Sequence, residues 1–183
     1  MEYKNICIVY SHSKVGDLIW QVPYIESISK YHEEIINLIT RRESCAKNTM
    51  GGLEYVKNIE YFTFRKGISY WIDVLKLFSY FFKNKFTHVY VLDKVNKPAI
   101  AAKIAGVKNI IGLGIGNQKF WLTNKKYLTK NDFSSLNYSE ISQKFLKLNN
   151  IPIINMYPKL DVNLNRVEIN KDITNMKGKL ISF

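Results

Sequence analysis

The chain has 183 residues, enough for one domain with a sizeable buried core. Its 46% hydrophobic and 14% aromatic content, broken by charged stretches, excludes a disordered tail and a collagen-like repeat. A formal charge of +12 points toward polyanions, yet the lysines are scattered (Lys83, Lys85, Lys94, Lys97, Lys103, Lys125, Lys126) and Lys, Asn, Ile, Tyr and Phe abound throughout, as a drift toward A/T-rich codons would produce.

Short β-branched runs alternate with longer helical ones, which predicts βαβ units feeding a parallel sheet. Asn5 to Tyr10 reads as a buried first strand. A helix follows from Gly16 to Tyr31, where Leu18, Ile19, Val22, Ile25 and Ile28 recur at helical spacing; Pro23 within it predicts a kink or a late start. Ile35 to Thr40 is the second strand, Glu43 to Met50 a short helix before Gly51-Gly52, and Ile59 to Phe64 the third strand. Ser69 to Phe82 is a strongly apolar helix. Its apolar residues cover most of the circumference, which predicts burial against the sheet, with docking on a membrane as the alternative. Thr87 to Leu92 is the clearest strand. Pro98 to Ala105 is a small-residue helix ended by Gly106, Asn109 to Leu113 another strand, and Ser134 to Asn149 a helix with Ile141, Phe145 and Leu148 on one face. Beyond Ile151-Pro152 the chain is Asn-rich and irregular, then closes on the apolar Lys179 to Phe183. That ending reads as the opening strand of a further unit in a protein about twice as long, or as a strand added to the existing sheet.

Cys7 lies in an apolar run and Cys45 in a distant polar one, with no C-x-x-C and no neighbouring His to make a metal site, so a reducing compartment fits. The N-terminal apolar run is too short for a signal peptide, and no stretch approaches the ~20 apolar residues that span a bilayer. A cytoplasmic protein, peripheral to a membrane at most, is expected. Nucleic-acid binding would need lysines and aromatics gathered on one face, against which their scattering argues.

The first strand-to-helix turn is Ser11-His12-Ser13-Lys14-Val15-Gly16-Asp17. Ligands of doubly wound folds sit beyond the carboxyl ends of the strands, so polar groups here face a candidate site. With one glycine the turn is neither a dinucleotide fingerprint nor a P-loop. Asp17 also suits a helix start, where a carboxylate complements the free amides. Lys14 can attract an acidic sugar or phosphate, or simply be solvated. His12 is a second-choice base near neutral pH, whereas His32 and His88 read as surface residues. Asp93 ends a strand at the same edge and suits either the cleft or a turn.

The run from Ser13 to Pro23, S-x-x-G-D-L-I-x-x-x-P, resembles the S-x-G-D-x-x-x-x-x-P opening of glycosyltransferase family 9, the lipopolysaccharide heptosyltransferases. Thr87 to Gly114 resembles that family's strand ending in Asp, helix and A-G-A-x-x-x-I-G-F/Y stretch, with Asp93, Ala105-Gly106 and Ile111-Gly112 in matching places. The helix before Ile151-Pro152 resembles the stretch preceding the interdomain linker. One departure stands out: the family's D-L-Q-G-like segment is replaced by the shorter Asp93-Lys94-Val95-Asn96-Lys97-Pro98.

The resemblance implies the N-terminal half of a GT-B fold: a Rossmann-like acceptor-side domain over residues 1–165, then a linker and the first strand of a donor-binding domain over 166–183. It further implies an inverting sugar transfer from a nucleotide sugar such as ADP-heptose to a lipid-linked glycan of the lipopolysaccharide core. Asp17 would be the general base, with Ser13, Lys14, Gly16 and Asp93 about the acceptor. No cofactor is implied beyond the donor as co-substrate. The absence of a D-x-D motif agrees with a metal-free mechanism, and a half without its donor domain would be inactive alone. The alternative from composition is a basic α/β module that binds an anionic ligand or membrane surface without catalysis.

Overall fold

Side-chain alternation along the first strand, β1 (Ile6–Val9), sets up both layers of the fold. Ile6 and Ile8 face one side of the sheet and pack with Tyr24, Ile25 and Ile28; Cys7 and Val9 face the other and pack with Val74, Leu77 and Phe81. All four strand residues are fully buried, the mark of a central parallel strand covered on both faces. The computed structural model describes residues 4–65, 67 and 69–159. The expected terminal strand at Lys179 to Phe183 and the expected boundary at 165/166 lie outside them.

Around β1 stand β2 (Ile36–Thr40), β3 (Val56–Tyr61), β4 (His88–Val91) and β5 (Asn109–Gly112), in the order β3-β2-β1-β4-β5 with every pairing parallel. The expected α/β Rossmann-like sheet with flanking helices is therefore what the chain builds. β3 runs from Val56 to Tyr61 rather than from Ile59 to Phe64: its pairing starts opposite Ile36, the first residue of β2, and stops opposite Thr40, the last.

The helix expected over Gly16 to Tyr31 divides into α1 (Val15–Ile19) and α2 (Val22–His32), with Pro23 in the first turn of α2, where its missing N–H costs nothing. α3 (Ala46–Met50) follows a 3-10 turn at Arg42–Ser44. The helix expected over Ser134 to Asn149 also divides, into α6 (Lys130–Ser135) and α7 (Tyr138–Leu148). Each has its own capping box, Thr129 with Asp132 and Asn137 with Glu140, and these T-x-x-D and N-x-x-E signatures explain the break.

α4 (Ser69–Asn84) and α5 (Lys97–Ile104) cover the Cys7/Val9 face. Small residues Ala99, Ala101 and Ala102 are fully buried and let α5 lie close. Contrary to the expectation of burial around most of its circumference, α4 buries only Asp73, Val74, Leu77 and Phe81 and exposes Trp71, Ile72, Leu75 and Phe82. An outer-layer helix has one neighbouring layer, so one stripe suffices. Between the two helices the fully buried Asp73 carboxylate accepts from Lys97 Nζ at 2.9 Å, Arg65 at 2.9 Å, the Arg65 amide at 2.7 Å and Thr63 at 2.8 Å. Burial pushes its pKa up, but these donors outweigh burial and hold it well below the usual carboxylate range.

The expectation of surface positions for His32 and His88 fails at His32. Its ring is buried, Nε2 lies 2.8 Å from the Tyr90 hydroxyl, and its centroid is 4.7 Å from that of His88. Desolvation, with help from His88 and Lys4, pushes the His32 pKa down to about 4.

Two stability measurements follow from these buried groups. Asp73→Ala strands Lys97 without its counter-ion and should cost about 3–5 kcal/mol in urea denaturation, as broken buried pairs do. Because His32 binds its proton less readily folded than unfolded, stability should decline as pH falls from 6.5 toward 4, with protonation favouring the unfolded chain. His32→Gln should flatten that part of the melting-temperature profile.

Candidate active site

Between β1 and β4 the strand order reverses, so the loops leaving their carboxyl ends diverge and open a crevice. The first carries Ser11 to Lys14 into α1, and the second carries Asp93 to Asn96 into α5. Asp93 lies between them, 3% exposed, with Oδ2 accepting the Ser11 amide at 2.6 Å and Oδ1 accepting the Val95 amide at 2.9 Å. Burial pushes its carboxyl above the ordinary range, against the pull of the Ser11 and Val95 bonds and of His12.

Two further residues hold the crevice floor. The Gln118 carboxamide donates to the carbonyls of Asp93 (2.8 Å) and Val95 (2.9 Å) and accepts from the Gly114 amide (2.8 Å), tying the β4 and β5 loops together. Arg41, at the end of β2, donates to the Ser11 carbonyl at 2.5 Å and to the Phe64 carbonyl at 3.2 Å. The backbone from which the candidate residues project is thus fixed from both sides.

On this base His12 lies flat against Tyr10, centroids 4.9 Å apart and planes within 10°, with the Tyr138 ring edge-on at 5.4 Å. Stacking fixes the imidazole plane and turns Nδ1 toward Asp17 Oδ2, 3.5 Å away. Both side chains remain about a quarter exposed, at 28% and 24%. Asp17 sits within the first turn of α1, whose N-cap, Lys14, makes no side-chain capping bond. Ser13, Lys14 and Gly16 are exposed along the outer face of the turn. A Cβ at Gly16 would meet no atom within 4 Å, so the described residues do not demand a glycine there; its bare backbone is open to close approach.

Asp17 opens onto a cleft of about 500 Å³ walled by Trp20, Tyr138, Ser139, Glu140, Gln143, Met156 and Tyr157. The α7 wall is braced from behind, since the Tyr24 hydroxyl lies 2.5 Å from Ser139 Oγ and Gln143 Nε2 donates to Tyr24 at 3.3 Å. Glu140 puts a second carboxylate at the cleft, but its Oε2 accepts the Asn137 amide at 2.9 Å as a helix cap. Such an arrangement can hold a ligand between aromatic walls and accept a proton from one of its hydroxyls, at the Asp17 carboxylate or the His12 imidazole.

Of the residues singled out in the sequence, the structure brings His12, Ser13, Lys14, Gly16 and Asp17 together on one loop. Asp93, expected among the acceptor contacts, lies beneath that loop with both oxygens bonded, which is the turn-holding role. Sequence reasoning missed Tyr10, Tyr138, Trp20, Gln118 and Arg41. The capping signal at Asn137 could have located the start of α7 and hence Tyr138; nothing local marks the others. Among the described residues no group of three or more His, Cys, Asp or Glu could hold a metal ion, and no helix is long and apolar enough to cross a membrane.

No protein-family model matches the chain, and no curated protein matches it in sequence. Solved structures do match in fold. The chain is similar to Escherichia coli ADP-heptose lipopolysaccharide heptosyltransferase II (TM-score 0.65, 16% identity) over 88% of its own length and 47% of that protein's. It is similar to a glycosyl transferase family 9 protein from Veillonella parvula (TM-score 0.64, 14% identity) over 85% and 43%, and to E. coli heptosyltransferase WaaC with ADP-2-deoxy-2-fluoro heptose (TM-score 0.58, 9% identity) over 81% and 49%. The chain spans about half the length of these proteins, and what it shares with them is the fold.

If Asp93 holds the loop, Asp93→Ala should orphan the Ser11 and Val95 amides at about 1–3 kcal/mol each. Urea denaturation should register the loss, and hydrogen exchange should show the Ser11 amide opening faster than the amides of β1.

Proposed function

We propose that the chain is the acceptor-side half of an inverting, heptosyltransferase-like glycosyltransferase of GT-B architecture, with Asp17 as its general base. One observation carries the reading. In a fold shared with heptosyltransferases, a carboxylate about a quarter exposed stands at the strand-order reversal, at the lip of an aromatic-walled cleft, and its neighbouring imidazole is held by stacking.

The substrates in this reading are an ADP-heptose-type nucleotide sugar as donor, as named for two of the proteins of similar fold, and a lipopolysaccharide core or related lipid-linked glycan as acceptor. As the acceptor hydroxyl oxygen attacks the anomeric carbon, its proton passes to the Asp17 carboxylate. The bond from that carbon to the leaving diphosphate breaks on the opposite face, its electron pair departs with the nucleotide, and the configuration inverts. Trp20 and Tyr138 supply flat apolar walls for a sugar ring. Ser13 and the bare backbone at Gly16 lie where the acceptor approaches, and Lys14 faces its anionic groups. His12, 3.5 Å from Asp17, orients the carboxylate and is the second candidate for the base. The donor would be held chiefly by the half of such enzymes that this chain does not span.

The test is transfer from ADP-heptose to a deep-rough lipopolysaccharide acceptor by the protein carrying both halves, wild type against Asp17→Ala. A fall of about a hundredfold or more with the melting temperature unchanged is expected. Unchanged transfer would leave Asp17 a helix-terminal charge and move the base to His12.

A further inference from the structure

We propose that the outer face of α4 is a docking surface for an anionic phospholipid bilayer. The proposal stands on this surface alone and does not rest on the catalytic reading. Trp71, Leu75, Phe78 and Phe82 recur at four, three and four residues and so form one stripe, about 16 Å long, along a flank of α4, with Phe78 partly buried at its inner margin. Trp71, Leu75 and Phe82 are 61%, 64% and 66% exposed, Ile72 beside them 47%, and the Phe78 ring stacks on Phe82 at 5.8 Å. The adjoining face of α4 is seated through Val74, Leu77, Phe81 and the Asp73 bridge to α5, and Phe78 is partly buried against the same cluster; Trp71, Leu75 and Phe82 are the members of the stripe that the core does not use. A row of large apolar groups held open on a rigid helix marks an interaction surface.

Charge identifies the occupant. Lys76 and Lys83 flank the stripe and Lys85 follows the helix end, all three exposed. Between Glu60 and Asp93 the sequence contains a single carboxylate, Asp73, which is buried and already bonded to Lys97 and Arg65. Lysines therefore stand beside the stripe and α4 itself brings no exposed carboxylate to it; Glu60 of β3 acts on Tyr80, on the side of the helix away from the stripe. Trp, Phe and Leu along one line with lysines beside them suit the boundary between acyl chains and anionic headgroups. The four-three-four spacing also suits a second helix, but two-fold pairing of α4 with its own copy would set like lysine borders against each other. Because α4 starts just after the carboxyl end of β3, Trp71 lies toward the sheet edge that carries the Asp17 loop.

Co-sedimentation of the chain with vesicles of phosphatidylglycerol and phosphatidylcholine, against pure phosphatidylcholine, tests the proposal. Binding to the anionic vesicles alone, weakened by added salt, is expected. Trp71→Ser/Leu75→Ser/Phe82→Ser should reduce it at least tenfold with the melting temperature retained, and Lys76→Ala/Lys83→Ala should reduce it by about fivefold for each lysine. Brominated lipid should quench Trp71 emission, and Trp71→Phe should remove that quenching. No binding to anionic vesicles, binding that survives the triple substitution, or a solution dimer that the triple substitution dissolves would each overturn the proposal, the last by assigning the stripe to a second copy.

Discussion

The Asp93 carboxylate joins the two loops whose divergence makes the crevice. A parallel sheet leaves the amides beyond its carboxyl edge without partners, and where the strand order reverses no neighbouring strand supplies them. Asp93 answers that need for Ser11 and Val95 together, and Arg41 and Gln118 satisfy the carbonyls on either side. Everything that projects from the first loop, His12 and Asp17 above all, takes its position from this anchor. A charge buried this deeply costs desolvation; rigidity at the one place where the fold leaves backbone unpaired is what it provides in return.

The two faces of the sheet solve different problems. On the Ile6/Ile8 face the core is made of large side chains from α2 and α7, and α7 continues outward to form one wall of the cleft. On the Cys7/Val9 face small residues of α5 bring the helix close, and an ion pair joins α5 to α4 beside the apolar cluster that both helices enter. The Asp73 bridge fixes the rotation of α4 about its axis, because one carboxylate must meet Lys97, Arg65 and Thr63 at once. That rotation decides which apolar residues point inward, and so leaves Trp71, Leu75 and Phe82 outside.

Much of this architecture was legible in the sequence because its signals are local. Alternating β-branched runs gave the five parallel strands, Pro23 gave the late start of α2, and the polar turn after β1 pointed to a candidate site at the sheet's carboxyl edge. The capping boxes at Thr129 and Asn137 were equally local, and overlooking them merged α6 with α7. Other features depend on partners distant in the chain. His32 becomes a core histidine only because Tyr90 lies opposite it, 58 residues on. Asp93 becomes an anchor only because β4 runs beside β1, and the exposed stripe of α4 follows from a bridge to α5. Hydrophobic periodicity reports how apolar a helix is; it does not report how many layers will cover it.

Residues committed to structure and residues open to chemistry are separable here by what occupies their polar atoms. Asp73, Asp93 and Asp132 are all carboxylates with backbone amides or cations on their oxygens, and each closes a local hydrogen-bonding requirement. Asp17 has the aqueous cleft before it and a stacked imidazole beside it, and α1 takes no side-chain cap from its N-cap residue Lys14. A carboxylate in the first turn of a helix that closes no buried hydrogen bond costs the fold little when removed, so an effect of Asp17 substitution on chemistry can be told from an effect on stability. The same reasoning applies to Trp71, Leu75 and Phe82 of α4, which the face that seats the helix does not use. In both places the fold supplies position through neighbours that are themselves fully bonded, and leaves the projecting groups unspent.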